Sequence, residues 1–478
     1  MYKSDTIAAI ASGMTASGIG IVRISGPEAF SLLTRVFRPA KDADVSAYPS
    51  NTIHYGHIVN GQETIDECLV MIMRGPRTYT TEDTVEIDCH GGPYVMRQVL
   101  NAVLDAGARL AEPGEFTKRA FLGGRIDLSE AEAVIDVISS KSRDALKSSL
   151  SQLGGSVRRE ITHLRETIMD ELAFIEAALD DPEHYELDHY GATLQDHLFP
   201  AFERLQKLAA TYSEGRLVRE GILTVILGKP NAGKSSLLNL LCGTDRAIVT
   251  EIEGTTRDIL EETVSLGGLT LRIRDTAGIR NARDRVEEIG VGKAKENAAD
   301  ADLILAVFDS SREPDENDLE ILSLIRDKNA IVLLNKSDLP SVLTADRLKD
   351  LLKGSLQNEN DEYDQTDFEN KNIPSVLTIS ARSGEGLDAL EQTIRKMFFS
   401  GQLSFNEEVM ITNARQKAAC DAALHSLEMV FETIRAGLPE DLYAVDLMDA
   451  YRSLGEIIGE EVEDDLVNTI FAKFCMGK

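Results

Sequence analysis

Residues 228–235 have the types and the spacing that bind phosphate groups. They read GKPNAGKS, and they lie between an apolar strand-like run at 221–227 and a helix-like run at 236–241. A glycine-rich turn in this position directs backbone N–H groups at phosphate oxygens, Lys234 reaches the outer phosphates, and the Ser235 hydroxyl ligates Mg²⁺. The candidate binding residues of the loop are Asn231, Ala232, Gly233, Lys234, Ser235 and Ser236. The sequence therefore predicts a P-loop that binds a nucleoside triphosphate.

Two later segments suit the metal ion and the γ-phosphate of such a nucleotide. The segment EIEGTTRD at 251–258 is a candidate first switch, in which Thr256 closes on Mg²⁺ when the γ-phosphate is present, or else a polar turn. An alternating strand at 269–274 ends in Asp275-Thr276-Ala277-Gly278. There the aspartate holds Mg²⁺ through water, and the glycine N–H meets the γ-phosphate.

Two further strand ends carry residues that select guanine. The buried run at 330–334 leads into NKSD, where Asp338 accepts hydrogen bonds from the ring N–H and the exocyclic amine of guanine. Adenine offers no matching pair of donors, so a buried carboxylate facing it would be left unpaired at a cost. A strand at 375–379 precedes a loop that closes over the base. The candidate residues of both segments are Asn335, Lys336, Asp338, Ser380, Ala381 and Arg382. The order of these motifs predicts a GTPase domain.

The residue that follows the glycine of the D-x-x-G motif cannot activate water. Many small GTPases place glutamine there, whereas this chain has Ile279. A nearby carboxylate that acts through a water molecule is one replacement, and ordinary surface charges are the other reading of the segment. The polar candidates are Arg280, Asp284, Arg285, Glu287 and Glu288.

The composition predicts a soluble multidomain protein. The chain has 478 residues, 43% of them hydrophobic and 27% charged, which suits about three domains. Its longest apolar runs are far shorter than the roughly 18 residues of a membrane span, and the first residues lack a leader pattern. Its five cysteines are scattered without a C-x-x-C pair. We therefore expect a cytoplasmic protein with no membrane association and no disulfide framework.

The net charge of −30 repels polyanions at long range. A nucleic-acid partner therefore needs a local basic patch, a metal ion or a second protein. One set of basic residues fits either such a patch or an ordinary solvated helix face. The set comprises Lys141, Arg143, Lys147, Arg158, Arg159 and Arg165.

Three kinds of hydrophobic pattern follow one another along the chain. Residues 1–120 alternate strand-like and helix-like runs and predict an α+β domain. Residues 121–216 and 399–478 have helical periodicity, and residues 217–398 between them alternate strand and helix as a parallel α/β sheet does. The predicted architecture is thus a helical domain that is split by an inserted α/β P-loop domain. Within these domains, Ser129 and Glu132 fit a helix capping box, and 355–372 fits a surface loop.

Several segments resemble the MnmE (TrmE) family of tRNA modification GTPases, within the translation-factor-related (TRAFAC) class. They are GKPNAGKSSLLN, EGTTRD, DTAGIR, NKSD, the terminal FCMGK, and, near the start, GIGIVRISG and PGEFTKRAFLGGRIDLSEAEAV. The resemblance implies a homodimer, an amino-terminal folate-binding and dimerising domain, and a flavoprotein partner, MnmG, in a heterotetramer. Together the two proteins would add an aminomethyl or carboxymethylaminomethyl group to the tRNA wobble uridine. The one-carbon unit would come from a formyl or methylene tetrahydrofolate.

The resemblance also implies roles for individual residues. Glu287 would position the attacking water, and K⁺ would supply the charge of an arginine finger. The implied K⁺ ligands are Asn231, Thr250, Ile252 and Thr255, and all of these except Ile252 are also implied to bind GTP. The implied folate residues are Arg23, Glu86, Arg125 and Lys478. Cys475 would act in the modification reaction, with a buried core thiol as the alternative.

Two other functions are alternatives to this one. A ribosome-assembly GTPase that acts as an RNA-binding switch would carry a basic RNA-binding module beside the GTPase domain, whereas the flanks here are acidic. A membrane-remodelling GTPase would need a span or a strongly basic amphipathic helix. The first of these is the alternative function, and the second lacks any supporting segment.

Overall fold

The chain forms two compact units. The first unit comprises Met1–Ile138, Ser151–Gln206 and Ala418–Lys478, and the second comprises Ser139–Leu150 and Lys207–Lys417. The computed structural model describes residues 5–41, 44–181, 183–184, 190–244, 261–274, 298–326, 328–355, 374–399, 409–439, 441–460, 462, 464–474 and 477.

The first unit contains a seven-stranded sheet in the order β3-β4-β5-β6-β2-β1-β7. Its strands are β1 Ile7–Ile10, β2 Gly20–Ser25, β3 Phe37–Pro39, β4 Thr52–Asn60, β5 Glu63–Met73, β6 Thr84–Cys89 and β7 Arg109–Leu110. Neighbouring strands are antiparallel except β1 and β7. Apolar residues at alternate strand positions form one core with helices α1 Ala29–Val36 and α2 Pro93–Asp105. Because side chains alternate between the faces, Arg23 and Glu86 lie on the opposite face.

Helices follow this sheet along the chain. They are α3 Glu115–Leu122, α4 Leu128–Ser139, α5 Arg143–Leu153, α6 Ser156–Asp180, α7 Tyr190–Ala210 and α8 Tyr212–Glu220. The predicted capping box of α4 at Ser129 and Glu132 is wrong. Asp127 caps the helix instead: its Oδ1 accepts hydrogen bonds from the Glu130 N–H (2.7 Å) and the Ser129 hydroxyl (2.8 Å), and Glu130 Oε2 accepts one from the Asp127 N–H (2.8 Å). Asp127 and Glu130 have the same three-residue spacing as Ser129 and Glu132, two positions earlier in the chain. In this cap the Ser129 hydroxyl donates a hydrogen bond to Asp127.

The second unit contains a six-stranded sheet in the order β13-β12-β11-β8-β10-β9. Its strands are β8 Ile222–Gly228, β9 Glu261–Leu266, β10 Leu269–Arg274, β11 Leu303–Asp309, β12 Ala330–Asn335 and β13 Ser375–Thr378. Its helices include α9 Lys234–Thr244, α10 Glu316–Leu324, α11 Ala345–Ser355 and α12 Leu387–Phe398. Among the described strands of this second sheet, only the β9–β10 pair is antiparallel.

Both faces of this parallel sheet are covered, as βαβ connections require. One core includes α9 and α12, and the other includes α10 and α11. The carboxyl ends of parallel strands meet at one edge, where ligands of such sheets bind. The predicted P-loop, NKSD and Ser-Ala-Arg segments all begin at this edge. Of the predicted loop at 355–372, all but the first residue lies outside the described residues.

Three more helices end the chain: α13 Ala414–Arg435, α14 Asp441–Ile458 and α15 Asp464–Phe471. In the first unit α14 packs along α6, and α15 contributes Phe471 to a core with Leu128 and Ala131 of α4. The helical segments on the two sides of the sheet domain therefore pack together, as predicted. Among the described helices none is long and apolar enough to cross a membrane.

Candidate functional site

The lysine of the phosphate loop, Lys234, is hydrogen-bonded to the backbone of the same loop. Strand β8 is buried along nearly its whole length and delivers the chain to the loop at Gly228. Lys234 Nζ donates hydrogen bonds to the carbonyl oxygens of Gly228 (2.6 Å) and Lys229 (2.8 Å). Asn231 and Gly233 have positive φ values of 63° and 105°, which bend the loop back toward the first turn of α9. The ammonium group thus lies beside the backbone that is proposed to hold phosphate.

Asn335 ties three motif segments together. Its Nδ2 donates to the carbonyl oxygen of Ala232 in the phosphate loop (2.9 Å), and its Oδ1 accepts from the Ala381 N–H (2.9 Å). The side chain is buried, with 2% of the residue exposed. A Cβ atom on Gly233 would lie 2.0 Å from Asn335 Nδ2, so only glycine fits at that place. The sequence predicted Asn335 as a nucleotide contact, and the structure gives it this bracing role.

The carboxylate of Asp338 is oriented from behind by Ser380. The buried Ser380 hydroxyl donates to Asp338 Oδ1 (2.7 Å) and accepts from the Ser383 N–H (3.2 Å). Asp338 itself is exposed at the sheet edge. A fixed, exposed carboxylate at the end of β12 suits recognition of two adjacent donors, as guanine presents.

All twelve predicted nucleotide residues that the structure describes lie at this edge, on the loops, at the end of β12 or in the first turn of α9, and the contacts of Asn335 and Ser380 link these segments. Ser235 is half-buried in the first turn of α9, while Ser236 and Arg382 are exposed. A single hydroxyl at this place suits Mg²⁺, which takes few protein ligands beside phosphates and waters. Eleven other predicted residues lie outside the described residues: Thr250, Ile252, Thr255, Thr256, Asp275, Thr276, Ala277, Gly278, Glu287, Cys475 and Lys478.

In the first unit, the structure joins the three described residues of the predicted folate site. Arg23 and Glu86 are direct partners in the β2–β6 register, and Arg23 Nε lies 2.7 Å from Glu86 Oε1. Arg125 Nη1 donates to the carbonyl oxygen of Tyr79 (3.1 Å), and its guanidinium lies 4.9 Å from the centre of the Tyr79 ring. Arg23 also lies over this ring, at 5.8 Å. Both guanidinium groups therefore lie close to the Tyr79 ring.

Sequence reasoning missed three members of this cluster. Tyr79 belongs to no motif, and Phe116, whose ring centre lies 5.5 Å from the Arg23 guanidinium, was quoted only for its resemblance. The carbonyl oxygen of Gly477 accepts a hydrogen bond from Arg23 Nη1 (3.3 Å). Gly477 has a positive φ of 87°, and a Cβ atom there would lie only 2.2 Å from the carbonyl oxygen of Ile10 at the end of β1. Only glycine therefore fits at this place. Gly477 and Phe116 belong to segments that carry the family resemblance, and this was the only sequence feature that pointed to them.

A buried charge network lies in the same unit. Arg119, with 3% of its side chain exposed, contacts Asp5, Glu82 and Glu115. Burial alone would raise the pKa of Glu115, but hydrogen bonds from Arg109, the Glu112 N–H and Arg119 outweigh it and lower that pKa. Contacts with Arg109 and Arg119 lower the pKa of Asp5 as well, so Asp5 and Glu115 are held in the charged form, and the network stabilises the fold rather than offering a proton donor.

Of the six basic residues predicted either as a patch or as one solvated helix face, five are exposed and only Arg165 is buried. Arg165 is buried against the Tyr451 ring at 4.0 Å and pairs with Glu460. Arg159 donates to the Gly154 carbonyl oxygen (2.7 Å). Lys141, Arg143 and Lys147 belong to the second unit, whereas Arg158, Arg159 and Arg165 belong to the first.

Taken together, a phosphate loop between β8 and α9 and a guanine motif at the end of β12 define a P-loop GTPase domain. Comparison with known proteins gives the family. The model of the GTP-binding protein TrmE N-terminus matches residues 6–125, and the model of the MnmE helical domain matches residues 128–475.

Curated relatives match over the full length. Proteins named tRNA modification GTPase MnmE are 53% identical in Lachnoclostridium phytofermentans and 45% in Acetivibrio thermocellus, each over 100% of both chains. The one from Finegoldia magna is 45% identical over 99% of this chain and 100% of its own. The chain therefore belongs to the MnmE family of tRNA modification GTPases. The predicted resemblance, fold class and enzyme class are confirmed.

Proposed function

We propose that this chain hydrolyses GTP at the edge formed by its phosphate loop and the NKSD loop, and that hydrolysis drives modification of the tRNA wobble uridine. The product would carry an aminomethyl or carboxymethylaminomethyl group on carbon five, made together with the flavoprotein MnmG. The observation that carries the proposal is the Asn335 brace, which links the phosphate loop to the Ser-Ala-Arg loop. Full-length similarity to proteins named tRNA modification GTPases supports the coupling to tRNA.

The proposed binding roles follow from the side chains at this edge. Lys234 and the N–H groups of the loop hold the β- and γ-phosphates, and Asp338 accepts two hydrogen bonds from guanine. Bound Mg²⁺ would neutralise charge on the phosphates, with the Ser235 and Thr256 hydroxyls as its protein ligands. Hydrolysis breaks the bond between the γ-phosphorus and the bridging oxygen and yields GDP and inorganic phosphate.

We extend the proposal to K⁺ stimulation. Asn231, Thr250, Ile252 and Thr255 would coordinate K⁺, and Glu287 would position the attacking water. The exposed Asn231 side chain, on a residue with φ of 63° in the middle of the loop, supports this. We expect hydrolysis to slow when Na⁺ replaces K⁺, and to slow in Glu287→Ala with nucleotide affinity retained. Equal rates in both salts would contradict the K⁺ role.

The amino-terminal cluster is the proposed site of a formyl or methylene tetrahydrofolate. Two arginines suit the glutamate tail of folate, and a carboxylate suits the donor edge of the pterin. Glu86 meets this need because its ion pair with Arg23 fixes the position of the carboxylate. The Arg23 contact to Gly477 brings the chain end to the cluster, which supports roles for the neighbouring Cys475 and Lys478. Bound folate would supply the one-carbon unit.

The proposed domains are 1–120 for folate binding and dimerisation, 121–216 and 399–478 for the helical domain, and 217–398 for the GTPase domain. We propose a cytoplasmic homodimer that joins MnmG in a heterotetramer. No observation favours a ribosome-assembly GTPase, since the full-length relatives carry another name and the net charge is −30.

The test is mass analysis of wobble uridines in tRNA. Cells that lack the protein are complemented with the native chain, with Lys234→Ala, or with Glu313→Gln, whose exposed carboxylate pairs with Arg347. We expect the modified uridine with the native chain and with Glu313→Gln, and the unmodified uridine with Lys234→Ala. Full modification without the protein would contradict the proposal.

A further inference from the structure

We infer that the two ends of residues 309–318, the segment that connects β11 to α10, position the two halves of the nucleotide site. Asp309 at one end would be a positioning residue for guanine that acts through Lys336, and Asp318 at the other end would be a positioning residue for phosphate that acts through Lys229. We name this segment the bracket. The inference rests on the nucleotide site proposed above and adds two residues that none of its motifs contains.

The guanine end of the bracket is a fixed carboxylate. Asp309 ends β11 and is paired in register with Asn335, the first residue of NKSD. Its Oδ2 lies 2.5 Å from Lys336 Nζ, and its Oδ1 accepts hydrogen bonds from the N–H (3.0 Å) and hydroxyl (2.6 Å) of Ser311. Only 7% of the Asp309 side chain is exposed. Burial would raise the pKa of Asp309, but the hydrogen bonds from Lys336 and Ser311 outweigh it and lower that pKa, so the group stays charged.

The same end holds the backbone of Lys336 in an unfavourable conformation. Lys336 has φ of 68°, a region that costs a lysine free energy unless its surroundings hold it. Ser310 supplies that hold, since its hydroxyl donates to the Lys336 carbonyl oxygen (3.1 Å) and its N–H donates to the Asn335 carbonyl oxygen (2.9 Å). With its ammonium bound to Asp309, the stem of Lys336 runs from the end of β12 to the end of β11. It therefore presents its methylene groups at the edge where the base is proposed to lie.

The phosphate end of the bracket grips the second residue of the P-loop. Lys229 Nζ lies 2.5 Å from Asp318 Oδ2 and 2.8 Å from Asp315 Oδ2. Asp318 has 6% of its side chain exposed and forms a capping box with Asp315 at the start of α10. The carbonyl oxygen of Lys229 accepts a hydrogen bond from Lys234 Nζ. Asp318 thus fixes Lys229, whose backbone in turn holds the lysine that is proposed to reach the phosphates.

The two ends act on different parts of one ligand, so their effects separate. Loss of the Asp309 charge frees the Lys336 ammonium and lets the base tilt away from Asp338. A tilted guanine no longer donates a hydrogen bond from its exocyclic amine to Asp338. Because inosine nucleotides lack this amine, GDP then binds no more tightly than IDP. Loss of the Asp318 charge loosens the phosphate loop and weakens binding of every nucleotide by the same factor.

The experiment is calorimetric titration of the full chain with GDP and with IDP in the presence of Mg²⁺. We expect Asp309→Asn to weaken GDP binding about tenfold and to bring the GDP-to-IDP affinity ratio close to one. Lys336→Met, which keeps the aliphatic stem and removes the ammonium, should give the same GDP-to-IDP affinity ratio. The double variant should lose no more GDP affinity than either single variant. Asp318→Asn should weaken GDP and IDP equally and keep the native ratio.

Two control variants make the result decisive. Glu313→Gln lies within the bracket, contacts Arg347, and should leave both affinities unchanged. Asp338→Asn tests the underlying site: if it leaves the ratio unchanged, the guanine assignment itself fails. If Asp338→Asn alters the ratio while Asp309→Asn and Lys336→Met do not, the site stands and the role of the bracket is overturned.

Discussion

The nucleotide edge of the second unit and the arginine cluster of the first unit are built in opposite ways. At the nucleotide edge, each functional group lies within a few residues of a strand end, and neighbouring parallel strands bring the loops to one side. In the arginine cluster, Arg23 and Glu86 are 63 positions apart, and the Gly477 carbonyl oxygen is 454 positions from Arg23. The first arrangement leaves contiguous motifs in the sequence, whereas the second leaves isolated residues.

The difference also concerns how the groups are fixed. Asn335 and Ser380 are neutral side chains that hold neighbouring loops by hydrogen bonds and leave Asp338 exposed for a ligand. In the first unit, charged groups are paired with each other and stacked on rings, as Arg23 is with Glu86, Tyr79 and Phe116. We therefore expect a change of the exposed Asp338 carboxylate to alter ligand choice, and loss of a charge in the arginine cluster to alter ligand affinity.

The largest expected effect is at Asp338. Asp338→Asn should weaken GTP binding about 100-fold and improve binding of xanthosine triphosphate, because an amide offers a donor to the xanthine carbonyl. Calorimetric titration with both nucleotides measures this. Folate binding by the same variant serves as the control and should not change. An unchanged preference for GTP would break the contrast between the two regions.

A smaller effect is expected at Gly233. Gly233→Ala places a Cβ against Asn335 Nδ2 at a residue with φ of 105°, so we expect a loss of about 2–3 kcal/mol of stability and at least tenfold weaker nucleotide binding. The matched control is Gly243→Ala in α9, where a Cβ meets nothing within 4 Å. Thermal unfolding and GDP titration of both variants compare them. Equal behaviour of the two alanine variants would show that Asn335 does not brace the loop.

In the arginine cluster we expect about a tenfold loss. Arg23→Met removes a charge from the proposed folate site and should weaken tetrahydrofolate binding by about that factor, while GDP binding stays the same. Arg38→Met is the control, because the exposed Arg38 on β3 contacts only the Gly61 carbonyl oxygen among the hydrogen bonds described for it. Fluorescence titration with the folate measures the change. Native affinity in Arg23→Met would remove the cluster from folate binding.

The smallest expected effect is the pH dependence of the first unit. The pKa of the buried Glu115 is lowered below its unfolded value of about 4, so its stabilisation is complete above pH about 5 and is lost as the pH falls through the folded-state pKa. We expect Glu115 to contribute to the unfolding free energy that the protein loses as the pH falls from 5 to 3. Arg109→Gln should reduce this dependence, because Arg109 donates to both carboxylate oxygens. Denaturant unfolding at each pH tests this, and identical slopes for the native chain and the variant would refute it.

Much of the second unit could be predicted because its chemistry is local. The motif GKPNAGKS requires a strand before it and a helix after it, and β8 and α9 occupy those places. The partners of its side chains could not be predicted. Asp309 and Asp318 are ordinary acidic residues in sequence, and only the β11–β12 register and the α10 cap bring them to Lys336 and Lys229.

In the first unit the strands were predicted more accurately than the contacts. The strand-like and helix-like runs of residues 1–120 predicted an α+β domain, but no spacing rule pairs Arg23 with Glu86 or brings two arginines to the Tyr79 ring. The helix α4 shows a second limit, because two capping patterns overlap two residues apart and spacing alone does not choose between them. Arg165 shows a third, since tertiary packing buried a charge that helical periodicity would leave in solvent.

The central claim is that this chain holds a guanine nucleotide between its phosphate loop and its NKSD loop. Calorimetric titration of the full chain with GDP and with ADP, both with Mg²⁺, tests it most directly. We expect one GDP to bind per chain and ADP to bind at least 100-fold more weakly. Equal affinity for the two nucleotides, or no heat with GDP, would contradict it.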